Sequence, residues 1–305
     1  LKPERLIAVA GFTGEVRYAE PMSRHTSLGI GGPAEAMAFP GSVQELARLL
    51  KLAHESDMPV FILGRGTNLL VLDGGIPGLV VNTGKMDWME LTHGEQGTSL
   101  VHAGAGAALP KLVNYCADNG LSGMEFAAGI PGTVGGAVRM NAGTKEAEMK
   151  DALVSVTLVG KDGSVINAPP AELNMTYRHA GVPEGSAVAE ATVGLVPWPK
   201  EEVRERVSAN IRRRKATQPM NTRSAGSTFK NSPGYSAWKL IDMCGLRGKG
   251  VGAAQVSMVH SNFLINTGGA TAKEFKALMD LVVKTVQDKL NITLEPEIQI
   301  VGIEK

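Results

Sequence analysis

The sequence predicts an α+β fold in which helices and short strands intermix. Three features carry that expectation: amphipathic stretches with explicit helix caps, short apolar runs bounded by glycine or proline, and a hairpin signal between neighbouring runs. Glycine is the compositional outlier, at 37 of 305 residues, or about 12% against about 7% in ordinary proteins. Many turns in this chain therefore need left-handed backbone or close approach of two main chains.

The elements follow in order. Leu6–Phe12 is apolar but soon meets Glu15, too short and too quickly charged for a signal peptide. Ser42 and Glu45 form a capping-box pattern that opens a helix, and Val43, Leu46, Leu49, Leu50 and Ala53 share one face of it. Pro59 stops that helix. Val60–Leu63 reads as a buried strand, followed by a glycine turn and strand over Gly64–Val71 and by the apolar run Gly78–Asn82. A helix is expected over Leu109–Asn119, with Pro110 in its first turn and Gly120 as its C-cap. Leu153–Gly160 and Ser164–Asn167 pair about Lys161-Asp162-Gly163, and Ala187–Val196 extends that sheet. Val196–Lys200 reads as a linker. The next helix, Glu201–Ala216, is acidic at its start and basic at its end, as the helix dipole prefers. Ala237–Cys244 is a short helix closed by Gly245. Thr271 and Glu274 form a second capping box, opening a helix with Phe275, Leu278, Met279, Val282, Val286 and Leu290 inward. Ile292–Ile303 alternates like a final strand.

The formal net charge of +1 argues against a broad nucleic-acid or membrane surface. Cys116 and Cys244 are far apart and lie on apolar helical faces, as inert core thiols of a reducing compartment do. No apolar run approaches the length of a membrane span. His25, His179 and His260 lack metal-ligand spacing, so no metal site is expected.

The segment Gly129–Val138, "GIPGTVGGAV", running on to Asn141-Ala142-Gly143, is too rich in glycine to form core. Its backbone is expected to expose N–H groups to an anion such as a diphosphate. Gly64-Arg65-Gly66-Thr67-Asn68-Leu69 is a second glycine turn, directly after a buried strand, and Gly29–Gly32 is a third. Gly29, Gly31 and Ala34 fit the dinucleotide fingerprint in letters only, since no strand precedes them and no helix opens there. Together the three turns favour a bound nucleotide cofactor. Ser227 follows Gly226 and is an unhindered hydroxyl that is either a proton donor or a turn cap. Lys230 and Asn231 offer a cation and an amide. Arg178, beside Tyr177, is a candidate carboxylate anchor, against the plainer reading of a solvated surface group. Glu297 and Glu295 share a strand face. Ile211–Lys215, "IRRRK", is either a diphosphate contact or a solvated helix end.

These segments resemble the UDP-N-acetylenolpyruvoylglucosamine reductase family. "HTSLGIGGPAE", "LGRGTNLL", "EFAAGIPGTVGGAVRMNAG", "TYRHA", "AGSTFKN", "KLIDMCGLRGKGVGAAQVS", "HSNFLIN" and "EPEIQ" occur in family order from about Arg24 to Gly302. Thr67 stands where the family often has serine, and Ser232 where proline is common. The chain lacks the tyrosine-bearing insertion of the longer family type. The resemblance implies a two-lobed FAD-binding module of the vanillyl-alcohol-oxidase (PCMH) type over 1–199, with lobes of about 1–85 and 86–199. A smaller α+β substrate-binding domain follows over 200–298, and 299–305 packs back on the first lobe.

By the same resemblance, FAD is held by Gly64, Arg65, Gly66, Thr67, Asn68, Leu69, Gly129, Gly132, Thr133, Gly135, Gly136, Asn141, Ala142 and Gly143. NADPH is the reductant, and the substrate is the enolpyruvyl ether of a UDP-sugar in cytoplasmic peptidoglycan precursor synthesis. Ser227 is implied as proton donor, Arg178 as charge stabiliser and Glu297 as a carboxyl that keeps or shares a proton. Tyr177, Lys230 and Asn231 are implied as substrate contacts, and the enzyme as a monomer without nucleic-acid or membrane partners. The rival readings are another FAD-dependent oxidase or dehydrogenase on the same module, and a non-catalytic nucleotide-binding module.

Overall fold

The computed structural model describes residues 11–231 and 234–305. Most of the Leu6–Phe12 run and the Ser232 position therefore lie outside the described residues. The chain divides into two compact units, each assembled from separated segments.

The first unit comprises the described residues up to Tyr18, with Ala36–Gly64 and Gly78–Arg214. Its main sheet runs in the order Val165–Ala168, Leu153–Val159, Ala187–Pro197, Ser99–Gly104, Met89–His93, all neighbours antiparallel. The expected hairpin is present, with Val165 opposite Val159 and Ala168 opposite Val156. Elsewhere in this unit Val60–Leu63 pairs in parallel with the strand that ends at Asn82, with Val60 opposite Leu79 and Leu63 opposite Asn82.

The helix Val43–Glu55 buries Leu46, Leu49, Leu50 and Ala53, as its periodicity requires. Each such leucine is worth about 1.5–3 kcal/mol on burial. Ser42 Oγ accepts from the Glu45 N–H at 3.2 Å, but Glu45 reaches one residue further back than a capping box, accepting from the Gly41 N–H at 2.7 Å. The helix Leu109–Asp118 packs Leu112, Val113 and Cys116 into the core beneath the main sheet. Lys200–Thr217 adds Val203 and Val207 to that same core. The expected linker before it is not a free segment: the strand continues to Pro197, and the Trp198 N–H donates to the Gly120 carbonyl at 2.8 Å.

The second unit comprises Ala19–Glu35, Arg65–Pro77 and Lys215–Lys305. A four-stranded antiparallel sheet runs Arg223–Ser224, Leu264–Asn266, Ala254–Val256, Gly250–Val251. The helix Ala272–Leu290 covers it with Phe275, Leu278, Met279, Val282 and Val286. Its capping box is complete: Thr271 Oγ1 accepts from the Glu274 N–H at 3.1 Å, and Glu274 Oε2 from the Thr271 N–H at 3.0 Å.

The long final strand is not formed. Only Gln299–Val301 is extended into a ladder, parallel to Leu69–Val71. Asn291 turns left-handed at φ 55, and Pro296, which has no N–H to give a ladder, forms an isolated bridge with Phe229.

Candidate active site

In the first unit, the loop expected to cradle an anion uses much of its backbone internally. The N–H groups of Val134 and Gly135 donate to the carbonyls of Ala107 and Ala105, both at 2.9 Å. That of Gly136 donates to Thr133 Oγ1, which caps the helix Val134–Arg139. Among the described residues no hydrogen bond takes up the N–H groups of Gly129, Gly132 or Thr133. Gly64 packs against Thr133, where a Cβ would lie 2.5 Å from its Oγ1, so two glycine turns remote in sequence meet.

Gly129 is left-handed, at φ 77, and a Cβ there would come within 3.0 Å of Arg214 Cδ. Arg214 Nε is buried with no hydrogen-bond partner. Burial first, then the guanidinium of Arg178 and that of Arg213, lower its pKa from the ordinary arginine value. Arg212 and Arg213 behave as solvated helix-end groups, pairing with Glu205 at 2.6 Å and Glu146 at 2.7 Å. Arg212, Arg213 and Arg214, one run in the sequence, therefore have different surroundings. The signal that separates them is helical phase: Val203, Val207, Ile211 and Arg214 recur on one face.

Arg178 occupies a tight turn. Thr176 and His179 exchange backbone hydrogen bonds at 2.9 and 3.0 Å, and Arg178 between them has φ 58. Its guanidinium carbon lies 4.8 Å from the centroid of the Tyr177 ring. Asn141, Ala142 and Gly143 do not form part of an open loop. The Ala142 N–H donates to the Ala137 carbonyl, Gly143 bridges Glu148, and Asn141 is fully buried with its side-chain amide committed to protein groups. The Asn141 side chain is thus engaged by Glu148, Thr176 and Lys150.

In the second unit, the turn Arg65–Asn68 keeps four consecutive N–H groups without an acceptor among the described residues. Gly66 is left-handed at φ 59, and its α-carbon faces the His25 carbonyl so closely that a Cβ would lie 2.1 Å from the oxygen. In the Gly29–Gly32 turn the N–H groups of Gly29 and Gly32 donate to the carbonyls of Thr26 and Leu72, both at 3.1 Å. A Cβ on Gly32 would sit 2.3 Å from the Asp73 carbonyl oxygen, so this turn serves close main-chain packing.

Ser227 and Glu297 come together in this unit. The Glu297 N–H donates to the Thr228 carbonyl at 2.8 Å, so the two segments run side by side. The residues after Ser227 are pinned: the Thr228 N–H donates to the Asn262 carbonyl, and Phe229 exchanges hydrogen bonds with the Asn262 side chain at 3.0 and 2.8 Å. Ser227 itself is half-buried, and among the described residues no hydrogen bond holds its hydroxyl. The turn-cap reading thus has no bond behind it. Lys230 pairs with Glu295, and Asn231 Oδ1 accepts from the Ala237 N–H at 3.0 Å, so these two of the three expected substrate contacts have protein partners.

In the first unit, an arginine with a buried, unsatisfied Nε beside open glycine N–H groups fits an electron-rich or anionic group such as those of a flavin coenzyme. In the second unit, the run of unengaged N–H groups at Arg65–Asn68 by itself suits an anion.

A family model described as an FAD binding domain matches residues 34–169. Another, for the C-terminal domain of UDP-N-acetylenolpyruvoylglucosamine reductase, matches residues 218–301. The reductase of that name from Moorella thermoacetica is 44% identical over 292 residues, covering 96% of this chain and 95% of its own. That from Geobacter metallireducens is 42% identical over 295 residues, covering 97% of each. The crystal structure of the corresponding reductase from Thermus caldophilus shares 40% identity with a TM-score of 0.79, across 95% of this chain and 99% of that one. A berberine bridge enzyme variant at 13% identity and TM-score 0.50 overlaps 65% of this chain and 44% of its own, a likeness of fold alone. Among the described residues no helix is long and apolar enough to cross a membrane.

Proposed function

Because the chain belongs to the UDP-N-acetylenolpyruvoylglucosamine reductase family, we propose that it reduces the enolpyruvyl ether of UDP-N-acetylglucosamine to UDP-N-acetylmuramate. It is an FAD-dependent oxidoreductase of peptidoglycan precursor synthesis. NADPH is the reductant in this reading, and the working enzyme is a cytoplasmic monomer. The observation that carries the mechanism is that the Glu297 N–H donates to the carbonyl of Thr228, the residue next to Ser227, whose hydroxyl has no hydrogen bond among the described residues.

Gly129, Gly132, Thr133 and Arg65–Asn68 would hold the coenzyme through their unengaged N–H groups, and Arg214 would face its electron-rich part. Bound FAD supplies the hydride for the methylene carbon of the enolpyruvyl group. Negative charge then develops at the neighbouring carbon and its carboxylate. Arg178 offsets that charge, the task for which a guanidinium suits a carboxylate. Ser227 gives its hydroxyl proton to the carbon. A serine hydroxyl is a weak acid, so placement supplies much of the effect, and the pinned Thr228 and Phe229 fix that placement. Glu297 keeps or shares a proton beside the substrate carboxylate, since a second bare carboxylate would repel it.

Turnover tests the assignment directly. Purified holoprotein given NADPH and the UDP-sugar enolpyruvyl ether is expected to form UDP-N-acetylmuramate, identified by mass. A flavoprotein that consumes oxygen with an alcohol, and leaves the ether untouched, would favour the oxidase reading instead.

A further inference from the structure

The turn that carries Arg178 is held from both sides by one neighbouring segment of the first unit. Upstream, Asn141 Nδ2 donates to the Thr176 carbonyl at 3.0 Å and to Glu148 Oε2 at 2.8 Å. Its Oδ1 accepts from the Lys150 N–H at 3.0 Å. These partners fix which end of the amide is which, because a carbonyl only accepts and an N–H only donates. Downstream, Arg139 Nη1 donates to the carbonyls of Ala180 at 2.9 Å and Val182 at 3.1 Å, and the Ala180 N–H donates to the Arg139 carbonyl.

Both Arg178, at φ 58, and Asn141, at φ 40, have left-handed backbone that side chains rarely adopt. Such conformations persist where surrounding structure over-determines them. Asn141 is fully buried, with each of its amide hydrogens used. Arg139 is the last residue of the helix Val134–Arg139 and Asn141 lies two residues beyond it, while the capping residue Thr133 belongs to the glycine loop. One continuous segment therefore runs from that loop to the Arg178 turn.

We propose that Asn141 and Arg139 are positioning residues that fix the Arg178 turn and so set the guanidinium against the developing charge. This rests on Arg178 as the charge stabiliser. It gives the "RMNAG" stretch a task other than touching a coenzyme.

The test is a double-mutant cycle on the half-reaction in which the UDP-sugar ether reoxidises the reduced holoenzyme, joined to limited trypsin cleavage after Arg178. Asn141→Ala is expected to slow reoxidation by about 10- to 100-fold, the scale of an ångström misplacement. In an Arg178→Ala background the same change should cost less than about twofold, because groups acting as a unit are not additive. Flavin content should stay near that of the unaltered protein, and tryptic cleavage after Arg178 should quicken. Equal losses in both backgrounds, or unchanged cleavage, would overturn the proposal. If Arg178→Ala alone turns over normally, the role of Arg178 falls, and faster cleavage in Asn141→Ala still upholds the clamp. Should Asn141→Ala fail to retain flavin, Arg139→Lys is the second variant: it keeps the charge but loses the guanidinium fork, and the same outcomes decide.

Discussion

The side-chain amide of Asn68 donates to the carbonyl oxygen of Glu297 at 3.2 Å, while the Asn68 carbonyl accepts from the Gln299 N–H at 3.0 Å. The glycine turn thus braces the segment of a proposed catalytic carboxyl. Replacing Asn68 by Ala removes one such bond, worth about 0.5–1.5 kcal/mol of stability. Its larger expected effect is on kcat, about 10-fold, with a smaller change in the KM for the UDP-sugar. Steady-state kinetics check this. An unchanged kcat would mean that Glu297 needs no such brace.

Arg178→Ala is expected to slow reoxidation by the UDP-sugar ether about 10²–10³-fold, the usual loss for one charge-stabilising donor. Flavin reduction by NADPH should stay within a few-fold of normal. Rapid mixing separates the two half-reactions, and near-normal reoxidation would remove Arg178 from its role.

His260 supplies a pH dependence. Its pKa is lowered by burial first and by the Arg247 guanidinium second. Its Nδ1 accepts from the Asn262 N–H at 3.3 Å, which needs the neutral ring. A lowered folded-state value means that the unfolded chain binds more protons, so stability rises with pH and is lost as pH falls through the ordinary histidine range. His260→Gln should flatten the dependence of Tm on pH between about 5 and 7. An equally steep profile would contradict this.

Cys116 is buried on the helix Leu109–Asp118, and burial pushes its thiol up to about 12. The thiolate is the reactive form. Iodoacetamide at mildly alkaline pH should therefore leave Cys116 unmodified in the native protein and alkylate it only after denaturant, as peptide mass spectrometry reports.

What was legible in the sequence was local. Ser42 and Thr271 announce their helices because a cap and its N–H lie within one turn. The pair about Lys161–Gly163 announces its hairpin for the same reason. Asn141 was not legible, because its partners at Glu148 and Thr176 are set by tertiary folding. The alternation of Ile292–Ile303 misled, since Leu294 and Ile298 are buried in irregular backbone rather than on a strand face. Arg214 was partly legible: its spacing from Val203 and Val207 was in the letters, but the neighbouring arginines masked it.

The central claim is that a hydroxyl at position 227 completes a reaction begun at the coenzyme. Ser227→Ala, purified with its flavin, is mixed with NADPH without oxygen and then with the UDP-sugar enolpyruvyl ether, while the yellow flavin band is followed. The expected result is normal bleaching by NADPH and no UDP-N-acetylmuramate after the ether is added. Rapid return of colour with stoichiometric product would contradict the account.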